Sequence, residues 1–198
     1  MNFGFPRLIT LLVISYISLF FSTSAIAELL EPYSAKYTAL RNGSKIGFAE
    51  LDLEALGDDN YKMRFYSDAS LFFIYDKREE ISFFKHEKEQ FIPYKYSFSK
   101  KGTFKDEKLN LEFDQEKDQI YIEKKKNKES MEWLGEMDHQ IYRLAAQKLL
   151  SEGQKDFEFD LINYRGQRKH YGFQVQGEEI LDLPYGKVKA LKVLTIRP

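Results

Sequence analysis

"PYSAKYTALRNGSKIGFAELDLEALGDDNYKMRF", Pro32 to Phe65, reads as three strands joined by two turns. Tyr33 to Leu40 forms the first strand. Asn42-Gly43 follows it, and this dipeptide favours a two-residue hairpin because both positions tolerate positive φ. Lys45 to Glu54 is the partner strand. Ile46 and Phe48 share one parity and Ala49, Leu51 and Leu53 the other, so the phase changes beside Gly47, as at a β-bulge. "GDDN", 57–60, makes the next turn, and Tyr61, Met63 and Phe65 alternate into a third strand.

The same grammar runs along the rest of the chain. Ile92, Tyr94, Tyr96 and Phe98 alternate with polar residues and predict a half-buried strand with an aromatic inner face, its start near a sheet edge at Pro93. Leu109, Leu111 and Phe113 alternate likewise. "QEKD", 115–118, turns the chain into Ile120–Glu123. Phe157, Phe159 and Leu161 make another strand, "YRGQ" turns into Tyr171, Phe173 and Val175, and Val188 to Ile196 is the last. One helix interrupts the series in "DHQIYRLAAQKLLSEG". Asp138 is its expected N-cap, Ile141, Leu144, Ala145 and Leu149 its apolar stripe, and Gly153 its stop. The expected fold class is α+β and mostly β. It is a curved antiparallel meander, a half-barrel of about nine strands, with one amphipathic helix packed on its concave face.

The N-terminus predicts export. Arg7 precedes an apolar run from Leu8 to Phe21, and Ala25-Ile26-Ala27 ends the segment like a cleavage site. The run is about 14 residues, short of the ~20 that span a bilayer. Residues 1–27 are therefore expected to be a signal peptide and residues 28–198 a single β-rich domain. The chain has no cysteine. That excludes disulfides, thiolate metal sites, a cysteine nucleophile and a lipidated cysteine after the signal. A soluble, non-lipidated periplasmic protein is expected, with secretion as the alternative. A net charge of −1 gives no bulk argument for nucleic acid or an anionic membrane surface as a partner.

"SLFFIYDKREEISFF", Ser70 to Phe84, places four large apolar residues and Tyr75 beside a dense charge cluster. Strand neighbours point to opposite faces, so one of Phe72 and Phe73 is expected in the core and the other exposed at a rim or partner surface. Asp76, Arg78, Glu79 and Glu80 could do acid–base work or clamp an anion. The simpler reading is a solvated turn and strand start with local ion pairs. "EKKKNKES", 123–130, is read as a charged hairpin tip, with a lipid headgroup or acidic partner as the alternative. His86, His139 and His170 show no metal-ligand spacing. No G-x-S-x-G, S-x-x-K or phosphate-loop motif supports a hydrolase.

Several stretches together resemble the family known as domain of unknown function 3108 (DUF3108), exported bacterial proteins. They are residues 32–65, "FFIYDKREE", "FIPYKYSFSKKG", the Asp138-led helix with "SEG" after it, and "DLPYGKVKALKV". The resemblance implies no established activity. It implies a fold similar to the half-barrel of the LolA and LolB lipoprotein carriers. It also implies further strands after "GKVKALKV"; the sequence stops at Arg197-Pro198, and an unpaired sheet edge is expected there.

Two function classes follow. One is a non-enzymatic binding module for an apolar or lipid-like ligand, with Phe72, Phe73, Tyr75, Tyr94, Tyr96, Phe98 and Trp133 as candidate ligand-binding residues and no metal or cofactor. The other is an envelope interaction or assembly protein that engages a protein partner through the exposed apolar tip or a sheet edge. Trp133, the one tryptophan, stands just before the helix, where it could line the mouth of the half-barrel.

Overall fold

The computed structural model describes residues 30–196; the expected signal peptide lies outside the described residues. Eight strands run in chain order as one antiparallel sheet: β1 (Tyr33–Arg41), β2 (Ser44–Gly57), β3 (Asn60–Leu71), β4 (Ile74–Glu87), β5 (Gln90–Gly102), β6 (Glu107–Asp114), β7 (Gln119–Lys124) and β8 (Asn127–Glu132). A short β9 (Met137–Asp138) leads to the helix α1 (Tyr142–Ser151). Then come β10 (Asp156–Ile162), β11 (Arg168–Leu183) and β12 (Gly186–Ile196). These make a second sheet, ordered β12-β11-β10-β9, in which β9 is parallel to β10. The architecture is the expected curled half-barrel meander with one helix. There are twelve strands among the described residues rather than about nine.

The turns carry the chemistry that makes tight hairpins. Asn42 and Gly43 have φ of 49° and 77°, and Asp58 and Asp59 have 50° and 59°. Positive φ at both central residues matches the right-handed twist of the flanking strands. Bulges curl the sheet. One lies opposite Ala39/Leu40, where Ile46 is the extra residue beside Gly47, as the sequence phase implies. A second lies at Leu56, between Ala55 and Gly57. A third lies between Phe83 and Phe84, opposite Tyr94.

That third bulge corrects the reading of β5. The extra residue shifts the phase, so Pro93 and Tyr96 are buried while Tyr94 turns outward beside Phe83. Pro93 stands at a local edge, as expected, although β5 as a whole lies between β4 and β6. It is tolerated because β6 pairs only with Lys95 to Lys100, which leaves the proline side of the strand without a ladder partner there.

The core is formed by alternation. Leu109, Leu111 and Phe113 of β6 and Ile120 and Ile122 of β7 point inward against Tyr96, Phe98 and Ile162. Each such side chain contributes roughly 1.5–3 kcal/mol on full burial. A second cluster of rings, Tyr142, Phe157, Phe159 and Phe173, stacks at centroid distances of 5.5–6.2 Å and fixes α1 against β10 and β11. On its other side α1 meets the large sheet, where the Arg143 guanidinium lies 5.8 Å from the Phe65 ring centre.

Gly47 marks the closest backbone approach in the large sheet. A Cβ there would stand 2.1 Å from the Asp68 carbonyl oxygen and 2.6 Å from Ala69 Cα. Since both obstacles are backbone, β2 and β3 would have to separate. Gly47→Ala is expected to destabilise the chain by about 1–3 kcal/mol, read as a lower urea midpoint than for Gly172→Ala, whose Cβ would make only ordinary contacts, 3.5 Å and more, with Ile196.

Candidate functional site

Between α1, the β4–β5 turn and the loop after β8 lies a cleft of about 560 Å³. Ligand sites commonly measure roughly 300–1,000 Å³. Its apolar wall is Phe91, Ile92, Pro93, Trp133, Met137 and Leu149, with Ala145 and Phe159 completing it. The helix stripe explains why the space exists. Ile141 and Leu144 are buried, but Ala145 and Leu149 are only half-buried. The short Ala145 side chain leaves the room that a larger residue would fill.

Trp133 is held rigidly. Its backbone N–H donates to Asp118 O (2.8 Å) and its indole Nε1–H to Glu136 O (2.9 Å). Its ring meets Phe113 edge-on at 5.7 Å. The loop itself is locked by Glu136, which is 1 % exposed. One carboxylate oxygen accepts the Leu134 N–H at 2.8 Å and the other is ion-paired with Arg168 of β11. Lys148 of α1 and Glu89 of the β4–β5 turn pair at 2.7 Å, and both line the cleft. That pair is exposed enough for water and salt to screen it, so it can open.

Behind the cleft, α1 is anchored by buried polar groups. Glu80, 5 % exposed, accepts from Tyr96 Oη (2.7 Å) and pairs with His139 Nδ1 (2.9 Å) on the same oxygen. Burial pushes its carboxyl upward, but the His139 and Tyr96 contacts outweigh that and hold it below its ordinary range. The same burial, with the neighbouring Glu80 charge, drives the Tyr96 phenol well above its ordinary value. Asp138 Oδ1 accepts the N–H groups of Gln140 (2.8 Å) and Ile141 (3.0 Å). It therefore caps the turn before α1. The expected role as the helix N-cap is corrected, since that position is Ile141, with no side-chain cap. Gly153, φ 83°, ends the helix as expected. The "YDKREE" stretch is, as expected, a strand start with local ion pairs, opening β4 after the turn, and the correction is confined to its last residue. Arg78 bonds Asp76, Glu79 accepts from Arg64, and Glu80 is buried.

The seven candidate residues fall in three places. Phe72, Phe73 and Tyr75 stand at the β3–β4 hairpin tip, with Phe72 94 % and Phe73 83 % exposed. The expectation that one of the pair is core is overturned, because they are the two turn residues of a hairpin and not strand neighbours. Tyr96 and Phe98 belong to the core, and Tyr94 faces outward. Trp133 alone lines the α1 cleft. Sequence reasoning missed Phe91, Pro93, Met137, Ala145 and Leu149. The i, i+4 pair of Ala145 and Leu149 was the available signal, but helical spacing does not separate a filled stripe from one that faces a cleft. His170 bridges Glu158 and Asp160 on an exposed strand pair. Among the described residues no three His, Asp or Glu side chains form a group that could hold a metal ion.

The sequence matches the family described as protein of unknown function DUF3108 over residues 32–198. The chain belongs to the DUF3108 family. This DUF3108 protein is also similar in structure to a β-barrel-like protein of domain of unknown function DUF1849 from Brucella abortus. The TM-score is 0.55 at 12 % identity, covering 84 % of this chain and 78 % of that one. At that identity the likeness is one of fold. No curated protein matches the chain. No helix among the described residues is long and apolar enough to cross a membrane.

Proposed function

We propose that this DUF3108 protein is an exported, non-enzymatic binding module that holds an apolar or lipid-like ligand in the α1 cleft. The observation that carries the reading is the cleft itself: apolar walls from three separate elements, a tryptophan fixed at its side, and a breakable ion pair among its lining residues. Such a site suits an acyl chain lying against Trp133 and Leu149, with a polar end near Lys148. Periplasmic location rests on the export pattern of residues 1–27. A second reading, a protein partner added at a sheet edge, draws on β12. That strand ends its sheet, and its hairpin exposes Ile180 (71 %) and Tyr185 (80 %).

Native mass spectrometry of the protein purified gently from the periplasm, with organic extraction of the same sample, tests the first reading. The expected result is an added mass that leaves as a lipid or fatty acid. It should be absent from Ala145→Phe, which fills the cleft, and from Leu149→Glu, which places a charge in it. An unliganded mass that takes up no added fatty acid would contradict the reading and favour a partner at β12.

A further inference from the structure

The turns at the two ends of the large sheet differ in chemistry. At one end lie residues 42–43, 72–73, 103–106 and 125–126, which carry three lysines, one aspartate and three phenylalanines. At the other lie 58–59, 88–89, 115–118 and 133–136, with six acidic residues and two lysines. A nearly neutral chain is thus polarised along its strands, and the α1 cleft belongs to the acidic end.

We propose that the basic, phenylalanine-bearing end docks on an anionic lipid bilayer. Phe72, Phe73 and Phe104 enter the interface, and a neighbouring lysine-lined cleft takes the headgroup phosphates. The three rings are 94 %, 83 % and 83 % exposed. They are braced as one unit through Thr103. Its Oγ1 accepts the Tyr75 N–H (2.9 Å) and donates to Phe73 O (3.3 Å), while its own N–H donates to Tyr75 O (3.1 Å). Phe72 sits at φ 55°, a conformation that a glycine would adopt freely and a bulky residue only at a cost. The pairing of Leu71 with Ile74 and the Thr103 bonds hold an aromatic ring at the outermost point of the hairpin against that cost.

Beside Phe104, a cleft of about 790 Å³ is lined by Lys105, Lys108, Lys124, Lys125, Lys126 and Arg165, against one acid, Glu107. Its side is closed by the loop Asn163–Gln167. Asn163 Oδ1 accepts from the Arg165 and Gln167 N–H groups at 2.9 and 3.0 Å, and Gly166 lies close against Lys124, Ile122 and Leu109. Charge complementarity selects the occupant. Aromatic rings at the headgroup level with flanking lysines suit an anionic interface.

Co-sedimentation of residues 28–198 with vesicles tests this, using phosphatidylglycerol mixed into phosphatidylcholine against phosphatidylcholine alone. Binding is expected on the anionic vesicles and to weaken with salt. The triple variant Phe72→Ser, Phe73→Ser, Phe104→Ser should lose it by about tenfold or more. Lys125→Glu with Lys126→Glu should weaken it while leaving the melting curve unchanged. Ala145→Phe, which fills the α1 cleft, should bind vesicles like the parent, so the two proposals can fail separately. Absence of sedimentation, equal binding to both vesicle types, or full binding by the triple variant would overturn the proposal.

Discussion

Replacing Phe84 by alanine is expected to remove about 3–5 kcal/mol of stability, a large share of the roughly 5–15 kcal/mol that holds a domain folded. Phe84 is 0 % exposed. It stacks on Tyr61 at 5.6 Å and 17° and packs obliquely against Phe91 at 6.0 Å. The cost is high because β3, β4 and β5 all meet there, and the sheet ladders on both sides prevent collapse into the void. Phe91 is also a cleft wall, so the variant should lose ligand along with stability. Urea denaturation is the measurement. Leu56→Ala, at a half-exposed bulge position, should change the midpoint far less. A comparable shift for the two would remove Phe84 from the centre of the packing.

The second large effect is one of pH. Burial pushes the Asp138 carboxyl up to about 6, against the N–H groups of Ile141 and Gln140 and the Ser82 hydroxyl, which favour its charge, and Glu80 adds repulsion. The unfolded chain releases this proton near 3.9. Between those two values the folded state holds more protons, so the wild type loses stability as pH rises. The loss amounts to about 2–3 kcal/mol by about pH 7, at 1.36 kcal/mol per unit. Asp138 Oδ2 and Gln140 Oε1 are both buried without a hydrogen-bond partner; protonation of Asp138, or an amide in its place, removes the buried charge. Asp138→Asn keeps the oxygen that caps the turn. It should therefore match the wild type near about pH 4 and exceed it near about pH 7. Glu80→Gln should behave in the opposite sense. Its carboxyl is held low in the fold, so the charged form stabilises above its unfolded value, and the variant's deficit should shrink as pH falls. Paired thermal melts across that range check both signs. An Asp138→Asn variant that is uniformly less stable would refute the account of the buried carboxyl.

How much of this was legible in the sequence depends on range. Asn42-Gly43, the phase change beside Gly47 and the alternation of β6 are local signals, and local geometry obeys them. Tyr94 was misplaced because one bulge opposite Phe83/Phe84 inverts the parity of half a strand, and nothing within β5 itself announces it. Phe72-Phe73 was misread because aromatics are strand formers; only the pairing of Leu71 with Ile74 turns them into a tip. Glu80 hid in a charged run, and its burial depends on Tyr96 and His139, which are 16 and 59 residues away. The cleft was the least legible part. It is an unfilled volume between a helix, a turn and a loop, and a sequence records the side chains present rather than the space between them. Trp133 can be placed at a mouth only because it stands shortly before the helix expected from Asp138 onward.

The central claim is that the α1 cleft holds an apolar ligand, and Trp133 gives a direct reporter since the chain has no other tryptophan. The most direct measurement is its emission during titration with a long-chain fatty acid, in wild type and in Ala145→Phe. A saturable change in intensity and wavelength at one ligand per chain, abolished by Ala145→Phe while the fold is kept, is the predicted result. Emission unmoved by the ligand, or the same change in both proteins, would contradict it.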